Sequence, residues 1–347
     1  MTSRIDLPRR RLLAAGAAAG ALSTIPAMPA LGQAKRTLTV QTLGGAIEKI
    51  MREEIVPAFQ KEHNIDVTLV IEDDVTILPK LRAARNRPPY DVCTCDNPIA
   101  ILGAEADVWA PDQTAKMSNA KDIYKSCKPP ATSNYGSIIY EYACVYNTKK
   151  MKAPASWADL WADNVVVGVP HISQAYGLTF LYIAAILNGG NEKNLDPGFA
   201  AIKRLKNFKV YKSVSQGLTM FQQNEIDVAL FYGHRGQQMI DMGLPIAKTV
   251  PKEGTWGQRT GTQIAKGTQK LDEATLWVNN TWSVPYQLAF TKGLYSPTNR
   301  NVVPPPELAP KLILGEKTVD AIKEAPWAVL LPQRDALLDK WTREFGG

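Results

Sequence analysis

"TLTVQTLGG" (37–45), followed by "AIEKIMREEIVPAFQKEHN" (46–64) and "DVTLVIE" (66–72), decides the fold. The first segment is an apolar, β-branched run closed by two glycines, which fits a buried strand ending in a turn. In the second, Ile47, Ile50, Met51, Ile55 and Phe59 recur on one face at helical spacing, so a helix is expected, kinked at Pro57. A second apolar strand follows at once. "ILPKLRAAR" (77–85) then reads as a short helix, and "YDVCTC" (90–95) as a third strand ending at Asp96-Asn97-Pro98. Strands alternating with helices predict the α/β class, a mostly parallel sheet with helices on its faces. Ligands of such sheets gather at the carboxyl ends of the strands, here Gly44-Gly45, Asp73-Asp74 and Asp96-Asn97.

The same grammar repeats downstream. "SIIYEYACVYN" (137–147) is a long apolar strand on which the chain leaves the first lobe. "PASWADLWAD" (154–163) starts a helix, with Ser156 and Asp159 spaced as a capping box. Trp157, Leu160 and Trp161 form its apolar side and are expected in the core. Strands at 164–170, 208–213 and 226–232 alternate with helices at 178–190, 199–207 and 217–224. The last strand runs into Gly233-His234-Arg235-Gly236 and a helix at 237–243. The segment 259–300 reads as strand then helix, and 306–315, 318–326 and 333–345 as closing helices. A chain of 347 residues exceeds the roughly 250–300 at which one core stops growing, so two lobes are expected.

The N-terminus is of another kind. "PRRRLLAAGAAAGALSTIPAMPALGQA" (8–34) has a basic start, an uncharged Ala-rich run and a small-x-small ending, which is an export signal. Arg9-Arg10-Arg11-Leu12-Leu13 resembles the twin-arginine pattern, and cleavage is expected near Ala34. The apolar run is shorter than the roughly 20 residues of a spanning helix, and no Cys near the cleavage point offers a lipid site. A soluble periplasmic protein is therefore expected. Four arginines against one aspartate give this leader +3 of the formal +7, leaving a mild +4. The lysines in "NTKKMK" (147–152) and "KRLKNFKVYK" (203–212) lack interleaved stacking aromatics, so they read as a solvated face, not a nucleic-acid groove.

Hydrophobic residues at 45% and charged residues at 21% exclude a disordered chain or a membrane bundle. Cys93, Cys95, Cys127 and Cys144 permit a disulfide in an oxidising compartment, with Cys127 to Cys144 the expected pair. His63, His171 and His234 show no metal-ligand spacing. No phosphate-binding G-x-x-x-x-G-K-[ST], dinucleotide fingerprint or G-x-S-x-G is present, and no cofactor is expected.

"VYN" (145–147), "SWADLW" (156–161), "IDVALFYG" (226–233) and "PKEG" followed by Trp256 resemble the periplasmic solute-binding proteins of ABC importers, in the spermidine/putrescine-binding branch. The likeness runs over nearly the whole chain after the leader. It implies the type II two-lobed periplasmic-binding fold, a mostly parallel sheet in each lobe, and a ligand cleft between lobes joined by two crossing strands. By this resemblance lobe 1 holds 36–144 plus 259–301, and lobe 2 holds 145–258 plus 302–347, after a leader of 1–34. A small-molecule solute and an inner-membrane ABC permease are the implied partners, with the protein a monomer and not an enzyme.

In that branch, cleft acids pair with ligand amines and aromatics pack the methylene chain. Trp256 matches the branch's tryptophan, and Phe231, with Tyr232 beside it, stands at an aromatic strand end. The acid two residues after the tryptophan is Gln258 here, and the acidic loop reads Pro170-His171-Ile172-Ser173-Gln174. The stretch "TVPKEGTWGQRTG" (249–261) is thus expected as a loop walling the cleft with no partner for a second ammonium.

An unpaired buried ammonium costs several kcal/mol, so a polyamine should fit poorly. Arg235, beside the amides of a helix N-terminus, suits a carboxylate or phosphonate, the alternative being a surface ion pair. Asp96 suits an amine, the alternative being a cap before Pro98. Gly44 and Gly45 allow close backbone approach. Asn97, Ser173, Gln174 and Ser215 are hydrogen-bonding candidates, and Arg259 belongs to the cleft or the hinge. The favoured ligand is a zwitterion or organic anion, such as an amino-acid-like compound or aminophosphonate, with polyamine as the alternative. A Cys95 or Cys93 nucleophile on the same scaffold is the distant enzymatic alternative, although only Asp96 stands near as a partner. A regulator's sensor domain is disfavoured by the leader and by the lack of a DNA-binding module.

Overall fold

A computed structural model describes residues 36–346 apart from 85, 131 and 133. The export-signal reading lies outside the described residues.

Among the described residues, ten strands form one continuous sheet. They are β1 (Arg36–Thr42), β2 (Ile65–Ile71), β3 (Val92–Asp96), β4 (Tyr135–Asn147), β5 (Val167–Pro170), β6 (Phe208–Tyr211), β7 (Val228–Tyr232), β8 (Ile246–Thr249), β9 (Trp256–Ile264) and β10 (Ser296–Pro297). Their order is β2-β1-β3-β9-β4-β7-β5-β6, with β8 and β10 also on β4. The outer groups β2-β1-β3 and β7-β5-β6 are parallel inside, as the alternation with helices requires. β9 and β4 run antiparallel to their neighbours and to each other, and they alone connect the two groups. This is the type II, two-lobed α/β architecture.

β4 shows how one strand serves both sides. Residues 135–142 pair with β9, while 142–146 pair with β7 and 144–147 with β8. Twelve of its thirteen residues are buried, which explains a largely apolar sequence without regular alternation. β9 is the opposite case, because Gln258, Arg259, Thr260, Thr262 and Gln263 are all buried in it. Gly261 is required there: a Cβ would sit 2.3 Å from the Tyr135 carbonyl oxygen on β4.

The helix expected over 46–64 forms as Ala46–Ile50, a π-helical stretch Met51–Ile55, and Val56–His63. Pro57 has no N–H to give the Glu53 carbonyl, and the wider π turn ahead of it accommodates that loss without ending the helix. The capping box at 156–159 forms too. Ser156 Oγ accepts from the Ala158 amide at 3.1 Å, and Asp159 Oδ2 accepts from the Ser156 amide at 3.0 Å. The helix it starts is only the 3-10 segment Trp157–Trp161. Trp157 is fully buried, and Trp161 stacks on Phe180 at 6.0 Å. The helix Asn97–Glu105 and strand β8 are additions to the expected elements. The first two closing helices shrink to Ala309–Lys311 and Glu316–Asp320, a short helix Trp327–Leu330 follows Pro326, and Arg334–Phe345 is a full helix.

The expected Cys127–Cys144 bridge is overturned: all four cysteines are free and buried. A Cβ on Gly136 would lie 2.7 Å from the Cys127 carbonyl oxygen, so Cys127 sits beside that end of β4. Cys144 lies eight residues further along the strand, on the order of 25 Å away at ~3.3 Å per residue. Among the described residues no helix is long and apolar enough to cross a membrane.

Candidate functional site

The sheet register assembles one row of polar and aromatic side chains where the two parallel groups meet. Asp96 pairs with Thr260, Tyr140 with Gln258, and Tyr142 with both Trp256 and Tyr232. Directly paired residues and alternate positions share a face, so these side chains project to the same side of β3, β9, β4 and β7.

Asp96 is the charged centre of the row. Its Oδ1 accepts from Tyr140 Oη at 2.6 Å and from Thr260 Oγ1, and its amide donates to Asp74 Oδ2 at 3.0 Å. It occupies the N-cap position of the helix Asn97–Glu105, but its carboxylate makes no capping bond and serves the two hydroxyls instead. Burial first, then the Asp74 charge, pushes its carboxyl up to about 7, against the pull of Thr260 and Tyr140.

Rings from both sides close around it. Tyr140 lies 5.2 Å from Tyr232 edge-on, and Tyr232 lies 5.0 Å from Tyr176 and 5.5 Å from His234. Tyr295 lies 5.2 Å from His234. Burial foremost raises the phenols of Tyr140, Tyr142 and Tyr232 far above the ordinary range. Burial also lowers His234 to about 3, helped by Arg235 and Lys248, so its ring is neutral.

Several buried polar atoms in this neighbourhood have no partner among the described residues, including Tyr176 Oη, His234 Nδ1, Gln258 Nε2 and Trp256 Nε1. Buried polar groups are normally satisfied, so these atoms are open hydrogen-bonding positions beside the row. Gln258 Oε1 is occupied by the Tyr142 hydroxyl, which leaves the amide nitrogen as the open donor.

Arg235 stands in the first turn of the helix Gly233–Asp241 and donates to Gln238 Oε1 at 2.9 Å. It forms no ion pair among the described residues, so the surface-pair alternative does not describe it. Its charge lowers the Tyr295 phenol while Asp96 raises it, although burial is the larger influence. Both charges therefore act on the same ring.

The other expected site residues fare differently. Phe231 is fully buried against Tyr211 and Phe221, on the face opposite Tyr232, and packs the interior. Trp256 begins β9 instead of standing in a loop. It is 4% exposed, edge-on to Tyr182 at 5.7 Å. The loop itself is tied down by Glu253, which accepts from Ser156 Oγ and the Trp157 amide. Asn97 is committed at both ends, donating to Glu324 Oε2 at 2.9 Å and accepting from Thr132 Oγ1 at 3.0 Å. Arg259 belongs to the crossing strand and pairs with Glu324 at 2.8 Å.

Gly44 and Gly45 are exposed after β1; Gly45 has φ 71° and precedes the helix Ala46–Ile50. Ser173 bonds His171 Nδ1 at 2.8 Å, Gln174 is an exposed N-cap, and Ser215 is exposed in the first turn of the helix Val214–Gln222. Among the described residues, Ser173, Gln174 and Ser215 make no hydrogen bond to the Asp96 row. Tyr140, Tyr142, Tyr176, His234 and Tyr295 join this candidate site although sequence reasoning did not single them out. The alternation "YEY" at 140–142 signals two rings on one face; Tyr295 carries no such signal.

Cys93 and Cys95 are fully buried, and burial drives both thiols far from ionisation, which removes the nucleophile alternative its chemical basis. Among the described residues no three His, Cys, Asp or Glu side chains group as a metal site. A surface cavity of about 730 Å³ lined by Leu81, Arg82, Asn86 and Lys266 lies apart from the row, and its Lys266 is already paired with Asp107 at 2.5 Å. The lysines at 206 and 209 are likewise spent on Asp163 and Glu225.

The chain is similar to known proteins along most of its length. An uncharacterised protein of Haemophilus influenzae is 25% identical over 318 residues, covering 85% of this chain and 87% of that one. The crystal structure of an ABC transporter protein from Clostridium perfringens superposes with a TM-score of 0.77 at 24% identity, covering 88% of this chain and 99% of the other. The structure of a GABA receptor superposes with a TM-score of 0.74 at 16% identity, covering 88% and 96%. The model of the family described as bacterial extracellular solute-binding protein matches residues 44–287. With well over half of its length matched, the chain belongs to the bacterial extracellular solute-binding protein family.

Proposed function

We propose that this protein is a periplasmic receptor that closes its two lobes on a small zwitterion and presents it to an inner-membrane ABC permease, without chemistry on the ligand. The lobes are taken as 36–144 with 259–301 and 145–258 with 302–347, after an exported leader, and the protein acts as a monomer. The observation that supports the ligand class is that Asp96, raised and hydroxyl-bonded, and Arg235, whose guanidinium has no acid partner among the described residues, both act on Tyr295 in one aromatic cluster. An ammonium gains from the carboxylate and the ring faces, and a carboxylate gains from a forked guanidinium at a helix N-terminus. Such a ligand contacts both lobes, and only contacts made differently in open and closed states can drive closure. The same fold carries a GABA receptor, whose ligand has an amine and an acid.

The second reading is a polyamine, favoured by the nearness of Asp74 to Asp96 within the aromatic cluster. A thermal-shift panel separates the two, since a ligand of the folded state alone raises apparent stability. A shift with 4-aminobutyrate or an aminophosphonate supports the zwitterion; a shift with putrescine alone refutes it.

A further inference from the structure

His234 stands in the first turn of the helix Gly233–Asp241, immediately before Arg235. Its side chain turns toward the row at Asp96: the imidazole lies 5.2 Å from the Tyr295 ring, 5.5 Å from Tyr232 and 6.0 Å from Tyr140. The residue is only 9% exposed, and its Nδ1, shielded from water, has no hydrogen-bond partner among the described residues. Leaving such an atom unpartnered is a standing cost to the fold, which a phenylalanine of similar shape would avoid. Packing among phenol rings therefore gives no reason for a histidine at this position.

The electrostatics say what kind of partner the nitrogen takes. Burial first, then the charges of Arg235 and Lys248, keep the imidazole neutral. Lys248 is itself paired with Glu141 at 2.6 Å, which leaves Arg235 as the chief charge on the ring. A neutral imidazole has one N–H to give and one lone pair to receive. An ammonium at the lone pair would sit in the same positive field that suppresses the imidazolium, whereas an oxyanion at the N–H gains from that field. The surroundings thus favour the tautomer with its proton on Nδ1, and an anionic oxygen as its acceptor.

We propose that His234 is a ligand-contacting residue, donating from Nδ1 to the oxyanion of the ligand that Arg235 holds. This deepens the receptor reading and rests on its assignment of the ligand's anion to Arg235. Arg235 supplies the charge, and His234 an uncharged donor whose direction is fixed by the three rings around it. His234→Phe and His234→Asn test this through the melting temperature of the ligand-free protein and isothermal titration with whichever of 4-aminobutyrate and aminomethylphosphonate the wild type binds. Phenylalanine keeps a ring and deletes the donor: the melting temperature should not fall, and affinity should drop by about tenfold or more, the scale of a lost hydrogen bond to a charged group. Asparagine sets an amide N–H near the Nδ1 position and should recover part of that loss. A histidine serving only the fold would lower the melting temperature when replaced by phenylalanine. That fall, or an unchanged affinity in His234→Phe, overturns the inference while the receptor reading stands. A wild type that binds neither zwitterion overturns the anion assignment and the inference with it, and shows this before any variant is made.

Discussion

The Tyr140 hydroxyl donates to Asp96 Oδ1 at 2.6 Å, binding the crossing strand β4 to the carboxyl end of β3. Thr260, from the other crossing strand, reaches the same oxygen. The acid assigned to the ligand is therefore held by the two strands about which the lobes would move.

Asp96 should make affinity depend on pH. Its carboxyl is raised to about 7 from an ordinary value near 4, by burial and then Asp74. A ligand ammonium favours the ionised form, so binding is full above that value and weakens as pH falls below it, approaching about tenfold per pH unit. Asp96→Asn should bind weakly with a flat profile. Calorimetric titrations at pH 8, 7 and 6 check this, and a wild-type affinity constant across that range contradicts it.

Arg235→Ala should weaken a ligand carboxylate by at least about tenfold, the scale of a charge-assisted hydrogen bond at ~1.5–3 kcal/mol. Arg235→Lys keeps the charge but loses the fork, and should fall between. Titration of each variant with 4-aminobutyrate is the check; unchanged affinity in the alanine variant removes Arg235 from the site.

Phe231→Ala should act on stability. The ring is fully buried among Tyr211, Phe221 and Gly217, so truncation is expected to cost about 3–5 kcal/mol. Urea unfolding measures it. A loss of ligand affinity at unchanged stability would return Phe231 to the cleft.

The cysteines should be silent. All four are buried and free, and burial holds their thiols protonated. The melting temperature of the folded protein should not change on adding dithiothreitol, and a reductant-dependent drop would reveal a bridge.

Regular elements were legible from periodicity because strands and helices here bury their apolar faces in repeating patterns, as Ile47, Ile50 and Phe59 do. β9 was harder, since a strand with buried Gln258, Arg259 and Thr260 is stabilised by pairing on both sides, which hydropathy does not report. Asp96 and Arg235 were readable as chemistry at a strand end and a helix start. Most of the rings around them were not, because Tyr140, Tyr176 and Tyr295 join Tyr232 only through register and long-range packing. Phe231 and Tyr232 are adjacent in sequence yet face opposite ways, so an aromatic pair at a strand end supplies one core residue and one member of the row at Asp96.

Isothermal titration of the mature protein with 4-aminobutyrate and, separately, with putrescine tests the central claim most directly. The account predicts saturable heat with the zwitterion and none, or far weaker binding, with the diamine. Tight binding of putrescine with no response to any zwitterion would contradict it, and would assign both ammonium groups to the acids around Asp96.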